Sequence, residues 1–359
     1  MPMGTPPQLE QMVLDTGSQL SWVQCRRKDS GAPSFNPNAS SSFSNVACND
    51  TVCVTHPTQR ADFTLPRNCS HDLCRYTVSF GDGTLAEGNL VWEQFKFSDS
   101  QIAPRLVIGC SPKKDIMSGA DGMLAMNRGN LSFISQLKEH KFSYCVPLRH
   151  DNIHNISDSD SNSNSNGSDG TFYYANLSNT SQQSQSMADF DSLQYYVRLV
   201  NIQINGEILN IDKSEVNSNA SCQMMIDSGT RYTYLVDAAY NSVREKVANL
   251  TGEYIKDMNV DAEFDMCFQH GSNLSDIEEK IGDVVFEFEN GVKISIPKER
   301  SLDIMSDCGV CVAIGRSDRL GFPTNIFGFF YQQDLCVEFD IQKNQVGFGK
   351  ADGSKLPLT

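Results

Sequence analysis

The sequence lacks the features that would assign it to several common classes of protein. It has no uninterrupted apolar run approaching the roughly 20 residues that a membrane helix needs. It has no cluster of Lys and Arg, since the longest basic run is residues 26–28 and the formal net charge is −15. We therefore expect neither a transmembrane segment nor a nucleic-acid partner.

Signatures of other catalytic classes are absent as well. The sequence contains no Gly-x-Ser-x-Gly elbow of a serine hydrolase, and its six histidines show no His-Glu-x-x-His spacing for zinc. We expect no metal and no cofactor. Residues 1–20 contain no basic stretch followed by an apolar core, so no signal peptide is visible, and we expect that a further segment precedes Met1.

Cysteine, by contrast, is plentiful, with 12 residues. Four of them crowd into one short polar stretch: Cys48, Cys53, Cys69 and Cys74. Their spacing predicts a disulfide-stapled insertion rather than a zinc site. For the Cys-x-x-Cys pair of Cys308 and Cys311, a disulfide or free thiols are preferred over a redox motif. Eleven Asn-x-Ser/Thr sites agree with an oxidising compartment, so we expect a secreted or endomembrane protein.

The apolar pattern predicts an all-β protein with a few short helices. Most segments are short apolar runs rich in Val, Ile, Phe and Tyr, broken by Gly, Pro, Asn and Ser. These runs include residues 11–14, 76–80, 106–110, 195–204, 284–288 and 336–341. Helices are expected at residues 131–138 and 236–250, because apolar residues of the second segment recur at helical spacing.

The length of 359 residues suits two lobes better than one compact core. Residues 151–169 are almost purely Asp, Asn, Ser and Gly, which predicts a solvated loop because such a segment buries too little apolar surface. We expect the lobe boundary near residues 185–195. The predicted lobes are then residues 1–185 and residues 190–359.

A short internal repeat carries the strongest functional signal. Leu-Asp-Thr-Gly-Ser at residues 14–18 returns as Ile-Asp-Ser-Gly-Thr at residues 226–230. About 100 residues after each copy comes a short apolar segment, at residues 123–125 and 326–328. A pair of Asx turns is the plain alternative, since these are turn residues. Two copies, each preceded by apolar residues, indicate instead one duplicated β unit.

The repeated residues suit catalysis by paired carboxyl groups. Asp15 and Asp227 each offer a carboxylate on a short arm, and the nearby glycine lets backbone approach closely. Two carboxyl groups in one site cannot both ionise easily, so they share a proton. The ionised partner can take a proton from water while the protonated partner polarises a carbonyl. This chemistry hydrolyses a peptide bond without metal and without a covalent intermediate.

These motifs resemble those of the pepsin family of aspartic proteases along nearly the whole chain. More narrowly, the chain resembles the nepenthesin-like plant branch. The motifs of that branch are the cysteine-rich insertion, Trp-Val-Gln-Cys at residues 22–25, Lys-Phe-Ser-Tyr-Cys at residues 141–145 and Gln-Gln-Asp-Leu at residues 332–335. Residues 86–90, 265–268 and 297–300 resemble its promotion-of-cell-survival subgroup.

The resemblance implies a bilobal β fold with duplicated lobes, whose cleft takes an extended polypeptide, and we expect a monomer. It implies that Asp15 and Asp227 are the catalytic pair and that a hairpin around residues 76–85 forms a flap over the substrate. The implied supporting residues of the pair are Thr16, Gly17, Ser18, Ser228, Gly229 and Thr230, of which Thr16 and Ser228 would lock the loops together. The implied flap residues are Phe80, Gly81, Asp82 and Gly83, with Trp22 supporting them.

Two residues depart from the pattern of the family. Phe80 stands where active relatives have Tyr, and it loses a hydroxyl that would bond toward Trp22. Ala125 stands where the first-lobe motif has Gly, and it adds a methyl group against the active loop. We therefore expect an acid-optimal aspartic endopeptidase whose activity Phe80 reduces. The alternatives are a protease-like scaffold that binds or inhibits proteins without cleaving them, and a truncated product that never folds stably.

Overall fold

The computed structural model of the chain falls into two compact units, which comprise mainly residues 1–140 and residues 141–357. It describes residues 1–25, 34–55, 63–64, 69, 71–81, 83–98, 101–112, 119–148, 172–178, 193–209, 222–252, 264–269, 271–305, 309–320 and 324–351. The predicted solvated loop at residues 151–169 lies outside the described residues.

The described strands of the first unit form one sheet. Its described strands are β1 (Pro2–Met3), β2 (Gln8–Leu9), β3 (Met12–Asp15), β4 (Trp22–Gln24), β5 (Ser44–Asn45), β6 (Phe63–Thr64), β7 (Arg75–Ser79), β8 (Leu85–Lys96), β9 (Ile102–Ser111) and β10 (Gly122–Ala125). Its helices are α1 (Thr51–Thr55), α2 (Phe133–Leu137) and a 3-10 turn at Pro37–Ala39. The strand order is β2-β1-β8-β9-β4-β10-β3, with β5 and β7 also paired to β8 and β6 paired to β7.

The longest strand of the sheet, β8, alternates between buried and less buried residues, and the buried ones face the core. In β8 the buried residues recur at almost every second position, which turns one face inward. A cluster of buried side chains packs there, and it includes Trp22, Tyr76, Leu90 and Val107. Burying such large side chains supplies about 1.5–3 kcal/mol each, so this cluster is the main source of stability at that face.

The described residues of the second unit form three sheets. Its strands are β11 (Lys141–Val146), β12 (Tyr173–Asn176), β13 (Tyr196–Ile204), β14 (Glu207–Ile208), β15 (Gln223–Ile226), β16 (Thr233–Leu235), β17 (Val284–Phe288), β18 (Lys293–Ile296), β19 (Leu302–Met305), β20 (Gly309–Val312), β21 (Ile314–Arg316), β22 (Asn325–Phe327), β23 (Leu335–Asp340) and β24 (Gln345–Lys350). Its helices are α3 (Asp237–Thr251) and α4 (Leu274–Ile281), with 3-10 turns at Glu289–Gly291, Lys298–Arg300, Ser317–Leu320 and Phe329–Gln332.

The largest of these sheets runs β18-β17-β13-β15-β22-β16-β21, and β14 pairs with β13. A second sheet has the order β11-β23-β24-β12, and β19 pairs with β20. Helix α3 packs Ala239, Tyr240, Val243 and Val247 into the core, which is the helical spacing seen in the sequence. With 15 residues it is the longest described helix, and none of the described helices is long and apolar enough to cross a membrane.

The structure confirms the mainly β composition and the strands and two helices predicted from the apolar pattern. Helix α4 was not predicted, although Ile277 and Ile281 at a spacing of four residues were a signal for it. The two units divide at residue 140, earlier than the predicted lobes at residues 1–185 and 190–359. The reason is that β11 and β12 pair with β23 and β24 of the second unit.

Disulfides staple both units. Those described are Cys25–Cys110, Cys48–Cys69, Cys53–Cys74, Cys145–Cys336 and Cys267–Cys311. The second and third confirm the predicted stapled insertion. Cys311 bonds to Cys267, so its partner is not its Cys-x-x-Cys neighbour, and Cys308 lies outside the described residues.

Two acidic residues of the first unit, Glu10 and Asp121, lie close enough to interact electrostatically. The Asp121 N–H donates to the Gln11 carbonyl at 2.7 Å, and the Gln11 N–H donates to the Asp121 carboxylate at 2.7 Å. The neighbouring Glu10 is buried. Burial first, and then repulsion from Asp121, raises the pKa of Glu10 from 4.5 to about 7, against the opposing effect of the Met1 ammonium group.

This shift predicts a pH-dependent stability of the first unit. The folded state favours the neutral form of Glu10, so its contribution is fully present below pH 4.5 and is lost as the pH rises to about 7. We expect the free energy of unfolding to fall by up to about 3 kcal/mol across that window from this group. Urea unfolding at pH 4.5 and pH 7.5 measures the fall, which Glu10→Gln should remove. Glu245→Gln on the exposed face of α3 is the control, and an equal fall in both variants would contradict the prediction.

Candidate active site

The Asp15 loop (residues 15–18) begins where strand β3 ends. Strand β3 runs parallel to β10, which places Asp15 opposite Ala125. The side chain of Asp15 is only 5% exposed. The Gly17 N–H donates to its Oδ1 at 2.7 Å, and the Ser18 hydroxyl donates to its Oδ2. Because each oxygen receives its own donor, the plane of the carboxyl group is fixed within the loop.

The Asp227 loop (residues 227–230) repeats this arrangement in the second unit. It follows β15, which is parallel to β22, and Asp227 is also 5% exposed. The Gly229 N–H donates to its Oδ1 at 2.9 Å, and the Thr230 hydroxyl donates to its Oδ2 at 2.5 Å. Two loops 212 positions apart therefore hold their carboxyl groups by the same two kinds of donor.

The residue that follows each Asp is buried. Thr16 is fully buried and Ser228 is 7% exposed. Hydroxyl side chains at these positions are therefore held in the interior rather than in solvent. The role of these two residues in locking the loops together stays a prediction.

A second hydroxyl, six residues after each Asp, anchors the neighbouring strand. Ser21 Oγ accepts the Ala125 N–H at 3.0 Å. In the second unit, Thr233 Oγ1 accepts the Gly328 N–H at 3.2 Å. The sequence reasoning missed both residues. The repeat itself held the signal, because a hydroxyl residue stands at the same offset in each copy.

Further main-chain hydrogen bonds connect the Asp15 and Asp227 loops to the residues that come directly after β10 and β22. In the first unit the Met126 N–H donates to the Asp15 carbonyl at 2.8 Å, and the Asn127 N–H donates to the Ser18 carbonyl at 3.1 Å. In the second unit the Phe329 N–H donates to the Thr230 carbonyl at 2.7 Å. The apolar segments that follow each copy of the repeat are thus the inner supports of the two loops.

The predicted hairpin around residues 76–85 is present. Strands β7 and β8 are antiparallel, with Ser79 opposite Leu85. Two hydrogen bonds of 3.0 Å close the turn. The Phe80 N–H donates to the Thr84 carbonyl, and the Gly83 N–H donates to the Phe80 carbonyl. Gly83 has φ of +80°, a conformation that favours glycine, and Gly81 precedes it in the same turn. Asp82 lies outside the described residues.

The indole of Trp22 packs against this hairpin. Its ring centroid lies 6.4 Å from that of Phe80, with the planes tilted by 46°. Trp22 is fully buried, and its Nε1 has no hydrogen-bond partner among the described residues. Tyr76 packs in the same cluster but does not accept this bond. A buried donor without an acceptor is costly in a protein interior.

A charged cluster adjoins the Asp227 loop. The Arg231 guanidinium lies 4.9 Å from the centroid of the Tyr232 ring and 3.0 Å from Asp303. The Tyr232 hydroxyl donates to the same carboxylate at 3.0 Å. Burial first, and then the charge of Asp303, raises the pKa of Tyr232 to about 12. In the described part of the chain, no group of three or more His, Cys, Asp or Glu side chains is arranged to hold a metal ion.

Comparison with known proteins gives relatives along the whole chain. Two family models match, described as the N-terminal domain of a xylanase inhibitor at residues 1–165 and its C-terminal domain at residues 194–350. Aspartic proteinase PCS1 of Arabidopsis thaliana is 32% identical, over 98% of this chain and 80% of the relative. Aspartic proteinase nepenthesin-1 of Nepenthes gracilis is also 32% identical, over 97% of this chain and 76% of the relative.

Solved structures show the same fold at low identity. Basic 7S globulin from soybean matches with a TM-score of 0.65 and 16% identity, over 100% of this chain and 94% of that chain. Conglutin gamma from lupine seeds has the same TM-score and identity, over 98% and 90% of the two chains. At such identities the likeness shows the fold alone.

Proposed function

We propose that this chain, which belongs to the plant branch of the pepsin-type aspartic endopeptidase family, cleaves polypeptides with Asp15 and Asp227 as its catalytic pair. The observation that carries the assignment is the duplicated geometry of the two acidic loops. Each carboxyl group accepts one backbone N–H two residues on and one hydroxyl three residues on. Such fixed carboxyl groups suit general acid and base catalysis, which requires the reacting groups to be held in place.

In this mechanism the two carboxyl groups share one proton. The ionised one accepts a proton from a water molecule, whose oxygen attacks the peptide carbonyl carbon. The protonated one donates to the carbonyl oxygen as it gains charge, which gives a tetrahedral diol. Transfer of a proton to the amide nitrogen then breaks the C–N bond. Because this mechanism needs one ionised and one protonated carboxyl group, we propose an acidic optimum.

Cleavage of unfolded globin between pH 3 and pH 7 tests this function. The protein should be made through a secretory route so that its disulfides form. We expect cleavage that is strongest in acid and that pepstatin abolishes. A folded protein that leaves globin intact throughout this range would contradict the proposal.

Phe80 is proposed to lower the activity because Trp22 Nε1 lacks an acceptor. Phe80→Tyr should supply one and steady the hairpin, raising kcat/KM about tenfold, the value of one hydrogen bond used in the transition state. Globin cleavage at the optimum measures this gain. The control is a double-mutant cycle with Trp22→Phe, which removes the donor. A gain of equal size in the Trp22→Phe background would show that the hydroxyl acts elsewhere.

A protein-binding or inhibitory module is the second candidate function. Two observations favour it, namely the xylanase-inhibitor description of both family models and the unpaired indole beneath Phe80. In that case the chain would bind a folded protein and leave it uncut. Inhibition of a microbial xylanase, together with inertness toward globin, would favour this candidate.

We further propose that the protein works as a secreted or endomembrane monomer. Five disulfides lie within the described residues. The Asn-x-Ser/Thr sites that the structure describes all have exposed asparagines: Asn38, Asn49, Asn130, Asn176, Asn249 and Asn273. Disulfides and accessible sequons are both typical of proteins from oxidising compartments.

A further inference from the structure

Two sequence motifs have no role in the proposed mechanism, namely residues 141–145 and residues 332–335. One residue of each motif takes part in a hydrogen-bonded group beside the Asp227 loop. Tyr144 lies in β11, and Gln332 ends the 3-10 turn Phe329–Gln332. They are 188 positions apart, yet the Tyr144 hydroxyl donates to Gln332 Oε1 at 2.6 Å. Gln332 is fully buried. A buried amide must satisfy its polar atoms inside the protein, so its partners are informative.

The amide nitrogen of Gln332 bonds to the two strand ends beside Asp227. Its Nε2 donates to the Asp227 carbonyl at 3.1 Å and to the Phe327 carbonyl at 2.8 Å. Carbonyl oxygens only accept, which fixes the amide with its nitrogen toward the strands and its oxygen toward Tyr144. Both N–H groups and the oxygen of Gln332 are therefore engaged.

This bond pattern lies where the catalytic carboxyl group leaves the main chain. Strands β15 and β22 end side by side there, and the Asp227 N–H donates to the Phe327 carbonyl at 3.2 Å. Gln332 ties together the carbonyls of the same two residues. The peptide that follows Asp227 is thus held against rotation, and rotation would turn the carboxyl group.

Tyr144 is itself held in register. It lies opposite Val337 on β23, and the next pair along the strands is the Cys145–Cys336 disulfide. Its ring also stacks with Phe339 at a centroid distance of 6.3 Å. The hydroxyl that orients the amide of Gln332 therefore comes from a rigid strand.

We propose that Gln332 is a positioning residue for Asp227 and that Tyr144 sets the orientation of its amide. The proposal rests on the proposed function, because it assigns a role toward the second catalytic carboxyl group. Gln332 contacts the main chain of Asp227 and acts through it.

Gln332→Met keeps the length of the side chain and removes its three hydrogen bonds. Two buried carbonyls then lose a donor, and we expect kcat to fall about ten- to a hundredfold with KM within about twofold. Tyr144→Phe removes one bond and should have a smaller effect. Gln136→Met is the matched control, since Gln136 Nε2 also donates to two carbonyls, those of Val107 and Leu131, in the first unit.

Gln332→Glu gives a signature that a space-filling role would not produce. A protonated glutamic acid has one O–H to donate to the strand ends, whereas the ionised form has none. We expect the kcat of this variant to be nearest to that of the wild type at the acidic end. It should then fall more steeply with rising pH than the kcat of Gln332→Met.

Hydrogen exchange of the backbone amides in residues 225–230 provides a readout that needs no activity. We expect faster exchange there in Gln332→Met than in wild type or Gln136→Met, with folding of each variant confirmed by circular dichroism. Wild-type exchange and kcat in Gln332→Met would overturn the proposal. If the wild type does not cleave globin but Gln332→Met exchanges faster, the proposed function fails while the hold of Gln332 on the loop is supported.

Discussion

Asp15→Asn and Asp227→Asn should each lower kcat for globin cleavage at least about a thousandfold between pH 3 and pH 7. Asparagine nearly preserves the shape of the side chain, and its oxygen can still accept the glycine N–H of the loop. The hydroxyl of Ser18 or Thr230 can turn to accept a bond from its NH2 group. It cannot take a proton from water, and it cannot share a proton with the other carboxyl group. The initial rate of globin cleavage measures the loss. The double variant should be no worse than either single one, because the two groups act as one unit.

Asp340→Asn is the matched control for this substitution. Asp340 is 6% exposed, close to the burial of the two loop residues, and its Oδ1 accepts the Lys343 N–H at 2.9 Å. An amide placed there should change globin cleavage by less than about twofold. If Asp340→Asn were as damaging as Asp15→Asn, lost stability rather than lost chemistry would explain both results. Retention of more than a tenth of wild-type activity by Asp15→Asn would contradict the assignment.

Gly328→Ala should destabilise the second unit by about 3 kcal/mol and abolish cleavage. Gly328 has φ of −82°, which any residue can adopt, so the requirement is for space. A Cβ at this position would lie 2.0 Å from the Tyr232 carbonyl oxygen, and that backbone belongs to the segment leaving the Asp227 loop. The methyl group can be accommodated only if the segment moves. Urea unfolding measures the loss of stability, and globin cleavage measures the loss of function.

The equivalent position in the first unit should behave differently. Ala125 is fully buried and keeps the register of β10 against Asp15, so its methyl group is accommodated. Ala125→Gly should therefore cost about 1 kcal/mol, through the flexibility of glycine in a strand, with no gain in activity. The expectation that this methyl group impairs the active loop would be supported only if Ala125→Gly raised kcat. Equal tolerance of alanine at both positions would contradict the steric argument for Gly328.

Local sequence patterns predicted those parts of the site that depend on near neighbours. Gly17 and Ser18 lie within three residues of Asp15, so a turn at the end of a strand is enough to bring their donors to its carboxyl group. The strands were predictable for the same reason, since a period of two or a short apolar run is a local signal. The helix α3 followed from its periodic apolar face.

Contacts between distant segments could not be read in this way. Gln332 reaches the Asp227 carbonyl across 105 positions, and Cys311 bonds to Cys267 rather than to its near neighbour. Such partners are set by strand order, and strand order depends on how whole sheets assemble. The division of the chain at residue 140 has the same origin. A sequence motif can single out Gln332, but its hydrogen-bond partners, the carbonyls of Asp227 and Phe327, are seen only in the folded sheet.

The pairing of β11 with β23 has a consequence for the order of events during synthesis. Tyr144 and Cys145 leave the ribosome early, but Cys336, to which Cys145 bonds, follows 191 residues later. At 5–20 residues per second, the nascent strand waits roughly 10–40 s for its neighbour. During that interval the unpaired edge of β11 can form non-native strand pairs, and the Cys145 thiol can form non-native disulfides. We therefore expect correct folding of the second unit to depend strongly on chaperones and disulfide isomerases.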